Sequence, residues 1–298
     1  MKLAKLKKKE RAIALRYIIP SFSGFALITL LPLTASFLLV FTNWDGSYFQ
    51  NIRFIGFKNI FYILTRDWLF WQSMFHNLVY SFGVVPTQIV LGILIAVLMN
   101  ETAFFQRTLR AIYFIPYITL TTAVVIVWMT FFQPTWGPIN TFLKAIGIQT
   151  PPGWLTERST SLISIMIVSV WQYTGYYMVI FLAGLQSIPA ELYEAAEIDG
   201  AGKVKQFFKI TLPLLTPIIL FAAITGIIFS FRTFLYINVM TQGGPGTSSY
   251  VMVFYLYQTA FKDFRFGYAS ALAWMLFLVI FSITLIQWRL QKKWVFQF

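Results

Sequence analysis

The chain has 298 residues, 58% of them hydrophobic and only 11% charged, where a soluble domain carries about a quarter charged residues. A mean hydropathy of +0.71 excludes an ordinary water-soluble globule. The net charge of +13 comes from cations that flank apolar runs, which sets a nucleic-acid partner aside. Nothing ionised at neutral pH lies in 17–44, 68–100, 111–143, 159–190, 210–231 or 266–288. Each run exceeds the roughly 20 residues needed to cross a hydrocarbon core about 30 Å thick. Six spanning helices are therefore predicted, near 17–42, 76–99, 111–132, 161–186, 212–234 and 268–288. Strict apolar/polar alternation is absent, which argues against an outer-membrane barrel. The fold class is all-α, that of a polytopic membrane protein.

Residues 1–16 form a basic segment (Lys2, Lys5, Lys7, Lys8, Lys9, Arg11 and Arg16), and such a flank before a first span stays in the cytoplasm. The first apolar run is too long for a cleaved signal peptide and is expected to be retained. Six spans put both termini inside, and the tail 291–298 is expected to be cytoplasmic. The four inside segments hold 15 Lys and Arg, the three outside loops 7. Residues 17–290 are read as one membrane domain, since the outside loops (43–75, 133–160 and 235–267) are rich in Gly, Pro, Trp and Asn and too short to fold alone. Trp44, Tyr48, Trp68, Trp71, Trp136, Trp154, Trp288 and Trp294 crowd the span boundaries, as amphipathic rings at the headgroup level do. The absence of cysteine excludes disulfides and thiol catalysis.

His76, the only histidine, begins the second span without a metal-spaced neighbour and reads as an interfacial polar residue. In the fourth span Ser169, Gln172, Tyr173 and Tyr176 fall at i, i+3, i+4 and i+7, one polar and aromatic stripe. Such a stripe can serve interhelical hydrogen bonding or meet both the hydroxyls and the ring faces of a sugar. In the fifth span Gly226, Phe229, Ser230 and Thr233 repeat the spacing. Arg232 lies about 20 residues beyond Leu212, roughly 30 Å along a helix, which puts it near the outer interface, where snorkelling accounts for it. Turned inward, it would pair with an acidic sugar or a phosphate ester. "GYASA" (267–271) offers small residues for tight packing of the sixth helix. No Ser, His and Asp set and no paired carboxylates occur within the spans, so neither catalytic nor metal residues are predicted.

The long inside loop, 187–211, concentrates charge. Glu191, Glu194, Glu197 and Asp199 supply four of the chain's ten carboxylates within nine residues. Each charged residue at mid-bilayer would cost about 2.5–3.5 kcal/mol, so the segment faces water or protein. Pro189 suits a first helical turn, and Glu191 and Glu194 suit the positive end of the helix dipole. A short helix over 189–198 follows, then a bend at Gly200 and Gly202, then "KVKQFFKITLPLL" (203–215) leading into the fifth span. The helix either lies on the headgroups or docks a protein; its acidic charge, repelled by anionic lipid, favours docking.

This loop resembles the "EAA" loop of ATP-binding-cassette importer permeases, whose pattern is E-A-A, three residues, Gly, nine residues, I-x-L-P. Glu194, Ala195, Ala196, Gly200, Ile210, Leu212 and Pro213 stand at that spacing without departure. The stretch 185–215, with "MTQGGPGTSSY" (240–250) and "YQTAFKDFRFGYASA" (257–271), is similar to the carbohydrate permeases of the maltose type, and the likeness covers most of 70–290. The resemblance implies a type I importer permease in a bacterial cytoplasmic membrane. Its coupling helix, with Glu191, Tyr193, Glu194, Ala195, Ala196, Asp199 and Gly200, would sit in a cleft of a separate ATPase subunit. It also implies that the fourth- and fifth-span stripes line the solute cavity. Two ATPases, a second permease and an external solute-binding protein complete the implied assembly. The chain has no G-x-x-x-x-G-K-[ST] phosphate loop, so ATP and Mg belong to the ATPases, and the chain is expected to be no enzyme and to bind no cofactor. The alternatives are an ion-coupled secondary sugar carrier, disfavoured because the spans contain neither Asp nor Glu, a permease for glycerol phosphate or acidic sugars, and a membrane scaffold.

Overall fold

The computed structural model describes residues 2–101 and 106–294. The tail residues 295–298 lie outside the described residues, as do the side chains of residues 2–12, Phe49, Glu101, Gln106, Lys293 and Trp294. Among the described residues there is no strand, only one antiparallel bridge between Thr42 and Phe54.

The first span is built from α1 (Lys2–Phe25), a π-helical turn (Ala26–Leu30) and α2 (Leu31–Leu39). Helix thus begins well before residue 17, within the basic segment. The π turn precedes Pro32, whose missing N–H and ring bulk disturb the regular ladder. Helix α3 (Lys58–Thr65) follows in the first loop, and α4 (Trp68–Glu101) is a 34-residue helix, longer than the predicted 76–99.

The third span departs most from expectation. In place of one helix over 111–132 there are α5 (Gln106–Ile118) and α6 (Thr121–Phe131), bent by 95°. Pro116 weakens the end of α5. Thr119 Oγ1 donates back to Ile115 O at 2.8 Å, and Leu120 takes an extended ψ of 120°. Gln172 Nε2 donates to Thr119 O (3.3 Å) and lies 3.4 Å from Thr121 Oγ1, satisfying groups that the break frees.

Helix α7 (Pro138–Ala145) lies in the second loop, and α8 (Ser161–Gln186) occupies the predicted fourth span to the residue. Helix α9 (Ala190–Ile198) has Pro189 at its N-cap, one position earlier than expected. Then α10 (Lys203–Gln206) and a π turn (Phe207–Thr211) lead without a break into α11 (Leu212–Phe231). The predicted fifth helix, 212–234, stops early: Arg232–Phe234 are irregular before α12 (Leu235–Met240). Helices α13 (Met252–Phe261) and α14 (Phe266–Trp294) complete the order. Among the described residues, five helical stretches are long and apolar enough to cross a membrane, six when the bent pair counts as one.

Contacts divide the chain into two compact units, one running to Asp67 and including Leu256–Met275, the other comprising Trp68–Tyr255 and the chain from Leu276 onward. In the first unit, buried Asn59 donates to Val40 O (2.8 Å) and Thr42 O (2.9 Å). Tyr268 donates to the buried carboxylate of Asp67, and Phe37 meets Trp274 edge-on. In the second unit α4 packs along α8, with α5 and α11 against the same pair. One apolar cluster is centred on Tyr80, Ile165, Ile237 and Phe254, another on Ile93, Met178, Phe181 and Leu215. Gly175 lets α5 approach α8 closely: a Cβ there would lie 1.8 Å from Tyr113 O.

Candidate functional site

The polar face of α4 organises the second unit. Ser73, Asn77, Ser81 and Gln88 are buried on it. Asn77 Oδ1 accepts from the Met252 N–H (2.6 Å), Ser81 shares a hydrogen bond with Ser230 of α11 (2.7 Å), and Gln88 Nε2 donates to Ser169 O of α8 (3.0 Å). Each bond replaces a group that would otherwise be unpaired in an apolar interior. His76 is likewise structural: its Nδ1 lies 2.9 Å from Tyr250 O, and Thr247 Oγ1 donates to Gln72 (2.9 Å), so the loop before α13 is fastened to the start of α4.

Between α4, α8, α11 and α12 lies a cavity of about 310 Å³, at the lower end of the roughly 300–1,000 Å³ of small-molecule sites. From α8 the wall takes Ser169 and Tyr173. From α11 and the break after it the wall takes Gly226, Phe229, Ser230, Arg232 and Thr233. Gly226 leaves room for the Tyr177 hydroxyl, which a Cβ there would meet at 2.5 Å. Phe229 is 52% exposed and presents an open ring. Thr233 is buried, and its Oγ1 has no hydrogen bond of normal geometry.

Two residues of the α8 stripe stand off this wall. Gln172 is buried, accepts a hydrogen bond from Tyr236 (2.5 Å) and braces the α5–α6 break. It therefore positions cavity residues from behind. Tyr176 stacks on Tyr117 of α5, with centroids 4.8 Å apart, and Tyr173 meets the same ring edge-on at 5.4 Å. Conversely, Tyr80, Gln88, Tyr177 and Tyr236 line the cavity although they lie off both stripes. The signal for the α4 residues was present: Ser73, Asn77, Ser81 and Gln88 recur at steps of four, four and seven, one helical face within an apolar run. Arg232 lies on the cavity wall.

The acidic loop lies at the other end of α11. Glu191, Glu194, Glu197 and Asp199 are exposed, as is Ala195, while Ala196 is half-buried. Gly200 adopts φ +74°, a left-handed conformation costing a non-glycine residue about 1–2 kcal/mol. It turns the chain from α9 towards α10. Tyr193 bonds Thr211 Oγ1 at 2.9 Å, and Gln206 Nε2 donates to Ala201 O at 3.0 Å. The first of these bonds ties the acidic helix to the root of the helix that lines the cavity.

Residues 88–295 match the family described as the binding-protein-dependent transport system inner membrane component. The probable ABC transporter permease protein YesP of Bacillus subtilis (strain 168) is 37% identical over 99% of this chain and 95% of its own length. The trehalose/maltose transport system permease protein MalF of Thermococcus litoralis is 32% identical over 95% of each. Among solved structures, a chain of a bacterial ABC transporter involved in import of the acidic polysaccharide alginate superposes with a TM-score of 0.84 at 21% identity, covering 98% of this chain and 99% of that one; at that identity the likeness establishes the fold. An all-α membrane architecture, an EAA loop at full spacing and a match over most of the length lead to one conclusion: the chain belongs to the binding-protein-dependent transport system inner membrane components, the permease subunits of ATP-binding-cassette importers.

Proposed function

We propose that the chain is one of two permease subunits of an ATP-driven importer that moves a carbohydrate, an oligosaccharide by preference, inward from an external solute-binding protein. A relative of similar length is named for trehalose and maltose transport, and the cavity here mixes hydroxyl-bearing side chains with the open ring of Phe229, the pairing that a sugar's polar edge and apolar face require. The cavity is shared with a second, homologous permease. Two ATPase subunits bind on the inner side, hold ATP and Mg, and carry out hydrolysis; this chain contributes no catalytic residue, binds no cofactor or nucleic acid, and sits in a bacterial cytoplasmic membrane with both termini inside.

One observation carries the reading: the helix that lines the cavity, α11, runs through α10 and a π turn into the loop that bears the EAA residues, and Tyr193 is fastened to its root at Thr211. Closure of the ATPases around α9 would be passed as a push on α11 and would reshape the cavity wall. In this mechanism Glu191, Glu194 and Asp199 keep the knob in water and complete the docking surface, Ala195 and Ala196 allow close approach, Gly200 sets the bend, and Tyr193 transmits.

The test is reconstitution. The purified assembly in proteoliposomes should take up sugar only with ATP and binding protein, and Glu194→Lys or Gly200→Val should abolish ATPase association while leaving membrane insertion intact. Uptake driven by an ion gradient without ATP would show a secondary carrier, and normal recovery of the complex with both variants would refute the docking role.

A further inference from the structure

Arg232 is placed where an apolar span offers it least reason to be. It caps the C-terminal end of α11, with its N–H bonded to Phe229 O at 3.1 Å, inside a stretch, Lys203–Met240, apolar enough to span the membrane. A guanidinium facing lipid costs about 2.5–3.5 kcal/mol at mid-bilayer and less towards a helix end, where Arg232 sits exposed and the helix dipole returns about 0.3–1 kcal/mol. The irregular backbone of 232–234 is costly too, since such breaks are tolerated at membrane depth only where they are buried in protein or line a cavity. Both features are accommodated by the cavity, whose wall includes Arg232, Thr233 and Phe234. That wall contains no Asp, Glu, Lys or His to balance or share the charge, so the cavity holds one uncompensated cation.

The surrounding groups sharpen the chemistry. Ser230 and Gln88 already have hydrogen-bond partners in neighbouring helices, so they shape the wall more than they offer donors. Thr233 Oγ1, adjacent in the chain, is buried without a hydrogen bond of normal geometry. Phe229, one turn earlier, is half-exposed. A planar guanidinium pairs with an oxyanion through two parallel hydrogen bonds, and the ring accepts the apolar face of a pyranose. Resting on the importer reading, we infer that this permease carries an anionic carbohydrate and that Arg232 binds its carboxylate or phosphate ester.

The permease–ATPase assembly, trapped with a non-hydrolysable nucleotide and without its binding protein, reports binding at the permease cavity, and variants of Arg232 then read this chain's part in it. Digalacturonate and its neutral counterpart galactobiose serve as matched probes, and galactose 6-phosphate against galactose separates a phosphate ester from a carboxylate. At least one anion should bind ten-fold or more tighter than its neutral partner. Arg232→Gln should erase that preference, and Arg232→Lys should retain part of it, because the ammonium keeps the charge but not the fork. Equal binding of each pair, or a preference that survives Arg232→Gln, overturns the assignment. Equal binding in an assembly whose ATPases copurify and respond to sugar defeats the anion inference alone; an assembly that recruits no ATPase defeats the importer reading and this inference with it.

Discussion

The first and fourth spans make an instructive pair. Ile13–Leu39 is the more apolar of the two, yet none of its most apolar window is buried, against 56% of the corresponding window in Ser161–Gln186. Leu27 and Ile28 are 65% and 79% exposed. By contrast α8 buries Ser164, Ser169, Gln172, Thr174, Gly175 and Gly184. Hydrocarbon is as apolar as leucine, so burial of apolar side chains against other helices gains little in a bilayer. Close packing and satisfied polar groups decide which helix occupies the interior. Apolarity marks a helix that can face lipid; small and hydrogen-bonding residues mark one that must not.

Substitutions should break this symmetry in a definite order. The largest effect belongs to Gly175→Leu: with backbone at 1.8 Å from the new Cβ, overpacking should cost about 3 kcal/mol or more and remove most folded protein from detergent extracts. Gln172→Leu comes next, because it strands the Tyr236 hydroxyl and the groups at the α5–α6 break. A loss of about 1–3 kcal/mol should appear as a lower thermal midpoint, with Gln172→Glu retaining more than Gln172→Leu. Tyr193→Phe removes one hydrogen bond to Thr211, worth about 1 kcal/mol. It should lower sugar-stimulated ATP turnover several-fold while ATPase recovery in pull-downs stays near normal; unchanged turnover would remove Tyr193 from the transmission path. Smallest of all, Ile28→Ala in the exposed first span should shift the midpoint by less than about 0.5 kcal/mol equivalent. A large loss there would mean that another chain covers the first span and that the contrast with α8 is a property of the isolated subunit.

Much of the architecture was legible before any coordinates, for physical reasons that also mark where reading stops. Charge-free runs located the spans because charge is the costliest thing to place in lipid, and α8 occupies 161–186 as predicted. The fall of α5 into α6 was not legible, since Pro116 alone permits either a kink or a straight run; the 95° bend depends on Gln172, more than fifty residues away in sequence, meeting the freed groups. The stripe rule found Ser169, Tyr173, Gly226, Phe229, Ser230 and Thr233, all of which line the cavity. It could not separate them from Gln172 and Tyr176, because a polar side chain facing a cavity and one facing a neighbouring helix look alike along a single chain. On α4 a similar spacing of Ser73, Asn77, Ser81 and Gln88 marks the buried face. Arg232, expected near the outer interface, caps the C-terminal end of α11 and is exposed on the cavity wall.

The tip of the acidic loop carries a consequence for the life of the subunit before assembly. Ile198 is 87% exposed and Val204 73%, on either side of the Gly200 turn, with Leu192 at 42% on the same short helix. An oily nose set among carboxylates remains soluble singly but is tacky towards any matching cleft, including those of chaperones and proteases. Synthesised alone, the subunit should be short-lived and poorly recovered; synthesised together with the ATPase proposed to cap this nose, it should accumulate, so that the cell's stock of finished transporter is set by whichever subunit is scarcest.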